Sequence, residues 1–347
     1  MQTIAWVLQG QNGPNSFTRV DRTLSELGEH DVLIKLNAAS LNHRDVAIAE
    51  GLHSLSLSSP VIPLSDGAGT VYTTGSKVSS FRPGDKVCTH LVPNKPPSEP
   101  STMPDIMEGL GHGCDGTLCT YAIFHESALV KMPDNLTFVE ASTLTCAGLT
   151  AWNALFGLRG VKGIKEGDYV LVQGTGGVSI FALQFALAVG ATVIATTSSE
   201  AKAQRLRQLG AHHVLNYRTD LNWGTTAKKL TSDGKGMHVI VDVGGLATLK
   251  QSLQAIRPEG VISVTGLLGE STDIGHLTLL ECLTHSCTAR GVILGTRDQF
   301  MEMNQFVQEK GIKPIIDEKV FQFEEARNAY RYMMASKHFS KICITME

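Results

Sequence analysis

A glycine-rich segment, Gly174-Thr175-Gly176-Gly177-Val178-Ser179, has the spacing of a phosphate-binding turn. It follows an apolar run at 169–173 and opens a longer apolar stretch at 178–189, which predicts a strand, a tight turn and a helix. Free N–H groups at such a helix N-terminus bind phosphate, and small residues let the backbone approach it. We therefore predict a dinucleotide site at Gly174, Thr175, Gly176, Gly177 and Val178. The alternative is glycines that only turn the chain, and Ser179 departs from the third glycine of G-x-G-x-x-G.

The residues after the next predicted strand, 191–196, bear on the choice of cofactor. NAD enzymes place Asp or Glu at this strand tip, where the ribose hydroxyls bind. This chain has Thr197, Ser198, Ser199 and Lys202 there, and hydroxyls with an ammonium group suit a 2′-phosphate. We predict NADPH (NADP+) as the cofactor. The alternative is that these residues only cap the next helix and leave Lys202 solvated, and the nearby Glu200 keeps that alternative open.

Two kinds of pattern predict the elements that position these residues. After about residue 143, apolar strands (169–173, 191–196, 239–242 and 261–264) alternate with helix-like stretches, as in a doubly wound parallel sheet. Before residue 121, short alternating segments such as 31–36, 69–73 and 85–89 predict a mainly antiparallel β domain. The proline-rich segment 91–116 is predicted to be a lid or a surface loop. Helices at 298–310 and 324–336 and a strand at 341–345 close the chain.

Composition limits the classes of function. The 347 residues suit two domains, 42% of them are hydrophobic, and the formal net charge is −3. Such a charge argues against nucleic acid or an acidic membrane as a partner and favours a small-molecule substrate. No secretory signal and no apolar run of about 18 residues is found, so we expect a cytoplasmic protein. The seven cysteines contain no C-x-x-C pair and read as reduced thiols.

Six phrases, taken in order, resemble a known family. They are 41–45 (LNHRD), 63–69 (PLSDGAG), 81–87 (FRPGDKV), 145–152 (TCAGLTAW), 172–178 (VQGTGGV) and 338–342 (HFSKI). The chain resembles the medium-chain dehydrogenase/reductase superfamily, in its zinc-independent alcohol-dehydrogenase-like and quinone-oxidoreductase-like branch. The resemblance implies an α/β fold with two domains. A GroES-like, β-rich catalytic domain would span 1–125 and be completed by 296–347, and a Rossmann NADPH-binding domain would span 126–295.

The resemblance also implies where a zinc ion would bind in related alcohol dehydrogenases. Those positions are filled here by Asn42, by Ser65 and Asp66, and by Cys146. A catalytic zinc needs three protein ligands, and an amide and a hydroxyl are poor ones. We therefore predict that the chain has no catalytic metal.

Further nucleotide contacts are implied by the same resemblance. Tyr217 matches a tyrosine beside the 2′-phosphate, and Asn42 and Thr150 fall near the nicotinamide and its ribose. The loops with Val243 and Gly244, and with Gly266, Leu267 and Leu268, would line the adenine and nicotinamide ends respectively. Ile293, Leu294, Phe339 and Lys341 would close over the nicotinamide.

Without a metal, the hydride acceptor must be activated by hydrogen bonds or be electrophilic itself, as an enone, enoyl group or quinone is. Carbonyl compounds remain a further possibility. We predict His43, Arg44 and Asp45 as catalytic residues, with His43 supplying a proton; alternatively, they only order their loop. Two other functions stay open: a non-catalytic NADPH sensor of the same fold, and an alcohol dehydrogenase with unusual zinc ligands.

The resemblance also bears on assembly. Relatives pair two nucleotide domains through an edge strand near the end of the domain, so we predict a homodimer through 288–294.

Overall fold

The computed structural model describes residues 1–52, 57, 60–158, 160, 163–266 and 278–346. Its strands are β1 (Gln2–Leu8), β2 (Phe17–Thr23), β3 (Asp31–Leu41), β4 (Asp66–Thr74), β5 (Lys86–Thr89), β6 (Tyr121–His125), β7 (Leu129–Lys131), β8 (Tyr169–Gln173), β9 (Thr192–Thr197), β10 (His213–Asn216), β11 (Met237–Asp242), β12 (Ile256–Val264), β13 (Thr288–Gly291), β14 (Phe321–Gln322) and β15 (Ile342–Thr345). Its α-helices are α1 (His43–Glu50), α2 (Met103–Glu108), α3 (Phe138–Ala141), α4 (Leu149–Phe156), α5 (Gly177–Ala188), α6 (Glu200–Gln208), α7 (Trp223–Lys229), α8 (Leu249–Ala255), α9 (Leu280–Thr284), α10 (Arg297–Glu309) and α11 (Ala326–Met334).

The chain divides into two compact units. The first contains Met1–Leu149 and Thr296–Glu347, and the second contains Thr150–Gly295. The sequence placed the boundary at residue 125, earlier than the structure does. The segment between belongs with the first unit because β7 pairs with β5, and α3 packs on β3 and β4.

The first unit is built on a mainly antiparallel sheet of order β14-β15-β3-β4-β5-β7, with β6 also paired to β3. The long strand β3 lies centrally and buries Ile34 and Leu36 in the core. The last segment of the chain completes this unit, because β15 inserts between β14 and β3 and α11 packs on β15. In that core the rings of Phe17 and Tyr330 lie 4.5 Å apart. The predicted β-rich, GroES-like architecture is confirmed.

The second unit is a parallel sheet of order β10-β9-β8-β11-β12-β13. The chain runs from β8 outward to β10 and then restarts on the other side of β8 at β11, so the strand order reverses between β8 and β11. Ligands of doubly wound sheets bind beyond the carboxyl ends of the strands at this switch point. The predicted Rossmann-like sheet is confirmed. None of the helices within the described ranges is long and apolar enough to cross a membrane.

The proline-rich segment 91–116 contains one helix, α2, that the sequence did not predict. Asp105 accepts hydrogen bonds from the backbone and side chain of Thr102 at the start of this helix. Lys95 lies 2.5 Å from Asp105 and 3.2 Å from Glu99, and the Lys95 ammonium lowers the pKa of Asp105 to about 2. Leu110 is buried in the core of the first unit. The ion pairs thus hold the segment together internally, and the burial of Leu110 anchors it to the first unit.

Candidate active site

The glycine turn lies between β8 and α5, at the carboxyl end of the sheet. Gly174 has φ of +76°, which side-chain-bearing residues rarely adopt, and its N–H donates to Thr196 O at 2.8 Å. A Cβ atom at Gly174 or Gly176 would meet nothing within 4 Å, so open space lies before the N-terminus of α5. This open cradle fits a pyrophosphate. Ser179 replaces the third glycine, and its buried hydroxyl donates to Gln173 O at 2.6 Å.

Polar side chains that the sequence analysis missed hold this crevice together. Gln173 Nε2 donates to Asp242 Oδ2 at 3.1 Å, and Gln173 Oε1 accepts from Val243 N at 3.2 Å and Gly244 N at 3.4 Å. Asp242 also accepts from Thr248 Oγ1 at 2.7 Å. The loop with Val243 and Gly244 is therefore fixed to the strand that precedes the glycine turn. The sequence signal that could have predicted this network is the polar residue that ends each of the two apolar strands β8 and β11.

The tip of β9 and the residue after β10 come together. Asn216 is the register partner of Thr197, and Tyr217 N donates to Thr197 O at 3.1 Å. Ser199 Oγ accepts from Lys202 N at 3.5 Å and caps α6, as the capping alternative required. The Glu200 carboxylate, which was the residue that kept the capping alternative open, forms an ion pair with Arg207 at 2.7 Å.

Tyr217, with 41% of its surface exposed, is thus placed beside the predicted 2′-phosphate residues. Arg218 follows it as an exposed cation that the sequence analysis did not select.

The other predicted nucleotide residues of the second unit have varied surroundings. Thr150 is buried in α4, and Leu294 is buried with its carbonyl accepting a hydrogen bond from the side chain of Asn153. Ile293 is exposed. Gly266 follows β12, whereas Leu267 and Leu268 lie outside the described residues.

In the first unit, the ammonium of Lys341 is enclosed by oxygen atoms. It donates to Leu41 O at 2.7 Å, to Asn42 Oδ1 at 2.5 Å and to Asp66 Oδ2 at 3.2 Å. The side chains of Lys341 and Asp66 are 2% and 0% exposed, so this is a buried ion pair. Asp66 also accepts from Ser40 Oγ at 3.2 Å and Ser65 Oγ at 2.9 Å. Lys341 uses three donors on three acceptors, which satisfies its ammonium.

The predicted zinc-ligand positions are part of this same cluster. Asn42 and Asp66 share the Lys341 ammonium, and the Ser65 hydroxyl is bound to Asp66. Burial, and then the Asp66 carboxylate, raise the pKa of the Cys146 thiol to about 12. In the part of the chain that the structure describes, no group of three His, Cys, Asp or Glu residues is arranged to hold a metal ion. These donors do not fit zinc.

The three predicted catalytic residues stand at the start of α1. His43 is exposed. Arg44 donates to Leu110 O at 3.1 Å and lies 3.6 Å from Asp45, whose carboxylate accepts from Asn42 N at 2.7 Å. Burial raises the pKa of Asp45 to about 6, although Arg44 opposes the shift. The contacts of Arg44 and Asp45 support the alternative in which they order their loop.

Phe339, which was predicted to close over the nicotinamide, is buried in the first unit, and its N–H donates to Asp317 Oδ2 at 2.8 Å.

Comparison with known proteins fits this arrangement of a glycine turn and a β-rich unit. Residues 28–134 match the alcohol dehydrogenase GroES-like domain, and residues 177–309 match the zinc-binding dehydrogenase family. The chain is 40% identical to a zinc-type alcohol dehydrogenase-like protein of Schizosaccharomyces pombe over 324 residues, which cover 93% of this chain and 92% of that protein. The chain belongs to the medium-chain dehydrogenase/reductase superfamily. It is an oxidoreductase with that family's nucleotide-binding fold.

Two further relatives indicate the range of this superfamily. A putative alcohol dehydrogenase from Sinorhizobium meliloti 1021 superimposes with a TM-score of 0.87 at 34% identity, covering 99% of each chain. A quinone oxidoreductase of Sus scrofa is 28% identical over 316 residues, or 89% of this chain and 87% of that protein. The resemblance read from the six phrases is thereby confirmed at the level of the superfamily.

Proposed function

We propose that this protein is a zinc-independent, NADPH-dependent reductase that transfers a hydride to an activated alkene, a quinone or a carbonyl compound. The observation that carries the proposal is the Lys341 ammonium, which lies between Asn42 Oδ1 and Asp66 Oδ2. By family resemblance, these two side chains stand where zinc alcohol dehydrogenases hold their metal. A cation of the chain itself uses the oxygens that a zinc ion would need.

The charge of this cluster favours the same conclusion. A zinc ion on Asn42 and Asp66 would lie within a few ångströms of the buried ammonium, and like charges repel strongly in a low-dielectric interior. The remaining donors are a hydroxyl already bound to Asp66, which is a poor zinc ligand, and one thiol, so the site falls short of three good protein ligands. The substrate therefore has to be electrophilic without a metal, as a conjugated enone or a quinone is.

Asn42 is the residue best suited to touch the reacting groups. Its Oδ1 accepts from Lys341, which fixes the orientation of the amide, and its Nδ2 is buried without a hydrogen-bond partner in the described part of the chain. A buried donor with no acceptor costs about 1–3 kcal/mol, which binding of a carbonyl or hydroxyl oxygen would recover. We infer that the Asn42 amide donates to the substrate or to the cofactor.

The cofactor assignment rests on the second unit. Gly174 and Gly176 leave space for the pyrophosphate, and the N-terminus of α5 offers it free N–H groups. Thr197 and Tyr217 meet at the tip of β9, and Lys202 lies in the first turn of the helix that follows this strand, so we infer that the 2′-phosphate of NADPH binds here. NADPH, when bound, supplies the hydride.

The test is to follow NADPH and NADH oxidation with a panel of enones, quinones, aldehydes and ketones, and to measure the metal content of the purified protein. We expect turnover with NADPH on conjugated acceptors, insensitivity to chelators and well under one zinc per chain. Zinc present at one per chain and required for activity would establish the alternative, an alcohol dehydrogenase with unusual ligands. Tight NADPH binding without turnover on any acceptor would establish the sensor.

We also propose that the protein forms a homodimer through the outer edge of β13. The strand is shorter than predicted, and Val292 N donates inward to Val264 O at 2.8 Å. A proline at Val292 would therefore break the chain's own sheet and would not report on the dimer. Outward N–H groups alternate with inward ones along a strand and belong to Ala289 and Gly291. Ala289→Pro should convert the dimer to a monomer in light scattering, and a wild-type mass near 37.3 kDa at micromolar concentration would contradict the dimer.

A further inference from the structure

Two cysteines meet where α9 ends. Ser286 has a left-handed φ of +49°, and its N–H donates to Leu283 O at 3.2 Å. The next N–H, of Cys287, donates to Cys282 O at 3.0 Å. This pair of hydrogen bonds is a Schellman motif, which brings the side chains at both ends of the longer bond into contact. Those side chains here are Cys282 and Cys287.

The contact between these two residues is usually apolar, and here it is a contact of thiols. The two thiols are close enough to interact, and both side chains are half-buried. Burial, and then the neighbouring Cys282 sulfur, raise the pKa of the Cys287 thiol to about 11. Cys287 therefore keeps its proton at neutral pH. By contrast, Cys88, Cys119 and Cys343 are buried in the first unit.

We propose that Cys282 and Cys287 are a redox-active dithiol, which a peroxide oxidises to an intrachain disulfide. The Cys282 sulfur attacks one oxygen of hydrogen peroxide, the O–O bond breaks, and the departing oxygen takes up the thiol proton and leaves as water. The Cys287 sulfur then attacks the resulting sulfenic acid, an S–S bond forms, and the S–O bond breaks to release a second water. Two thiols lose two protons and two electrons, and the peroxide is reduced to two waters.

The position of the dithiol separates it from the dinucleotide site. Cys287 directly precedes β13, so the pair lies at the amino ends of the parallel strands. The glycine turn follows β8 at the carboxyl ends of the same sheet. Oxidation of the pair should therefore leave NADPH affinity unchanged. A test that contradicts the dithiol therefore leaves the proposed reductase activity unaffected, and the reverse also holds.

A first experiment measures the proximity of the two thiols. Phenylarsine oxide bridges two thiols held close together and binds single thiols weakly, because the second bond forms within one molecule. We expect the full-length reduced protein to bind it at least about 100-fold more tightly than Cys282→Ser or Cys287→Ser does. Cys114→Ser, which removes another half-buried thiol, is the matched control and should bind like wild type. Equal affinity for wild type and both dithiol variants would overturn the proposal.

A second experiment maps the oxidised product. Both cysteines fall in one tryptic peptide, 251–290, because the Arg257–Pro258 bond resists trypsin. After treatment with hydrogen peroxide and alkylation, we expect this peptide to carry no alkyl group and to be about 2 Da lighter than the reduced, unalkylated peptide. Reduction followed by a second alkylation should add two alkyl groups to it. Cys287→Ser should instead accumulate sulfenic acid on Cys282. Two alkylated cysteines after peroxide, or a sulfinic acid on either without a disulfide in the wild type, would overturn the proposal.

Discussion

Replacement of Lys341 by methionine should destabilise the protein severely, because it leaves the Asp66 carboxylate buried without its ammonium. Among the residues that the structure describes, Asp66 would keep only the hydroxyls of Ser40 and Ser65, and Asn42 Oδ1 would lose its donor. Removal of one partner from a buried ion pair costs about 3–5 kcal/mol. Methionine fills a similar volume, so little of this loss should come from a cavity. We expect a loss of about 4 kcal/mol in the free energy of unfolding.

The assay is urea unfolding of wild type, Lys341→Met, Asp66→Asn and the double variant. The double variant should recover at least half of the loss, because an amide left in the core costs far less than a carboxylate. Lys77→Met is the control: Lys77 and Glu29 also pair, at 2.7 Å, but both are exposed, so this change should cost under about 1 kcal/mol. The buried-pair reasoning is refuted if Lys341→Met unfolds no more easily than Lys77→Met. It is also refuted if the double variant loses the sum of the unfolding free energies that Lys341→Met and Asp66→Asn lose separately.

Three further substitutions test the cofactor site and α1. Lys202→Glu should weaken NADPH about ten- to a hundredfold more than NADH, with exposed Lys229→Glu as control, and equal losses would remove Lys202 from the phosphate site. Gly176→Ala should weaken dinucleotide binding at least about tenfold in fluorescence titrations, whereas Gly291→Ala, where a Cβ also meets open space, should not. The Asp45 pKa rises from 3.8 to about 6 on folding, so its contribution to stability is complete below pH 3.8 and lost as pH rises through 6. Asp45→Asn should therefore gain up to about 3 kcal/mol at pH 8 and almost nothing at pH 3.5 in thermal melts, and equal gains would contradict the shift.

Local patterns predicted those parts of the molecule that local forces determine. The strand at 169–173, the glycine turn and the helix after it were predicted within a residue or two, because apolar periodicity and glycine conformation act over short distances. The parallel, doubly wound sheet followed from the alternation of strands and helices. Arg44 was chosen for its chemical type, yet its guanidinium bonds the carbonyl of Leu110, which no spacing reveals.

The contact of Lys341 with Asp66 joins residues 275 positions apart. The resemblance pointed to each residue separately and for a different role. Lys341 was predicted to contact the nicotinamide, and Asp66 was noted at a position where related alcohol dehydrogenases bind zinc. Only the tertiary fold brings the ammonium to the carboxylate. The Gln173–Asp242 bond was missed for the same reason, because it links two strands that are neighbours only in the sheet.

The insertion of β15 between β14 and β3 determines the order in which the protein can be assembled on the ribosome. The second unit is one continuous stretch, Thr150–Gly295, and all of it has been synthesised before α10. The first unit, although its synthesis begins earlier, has to wait for its last strand with residues 38–41 of β3 unpaired on the side that β15 covers, while β6 already pairs with residues 31–35. Until Lys341 leaves the exit tunnel, closing that sheet would bury Asp66 without a counter-charge, which disfavours early collapse. The unit that begins first during translation is therefore completed last, and its exposed β3 edge is the surface that nascent-chain chaperones would have to protect.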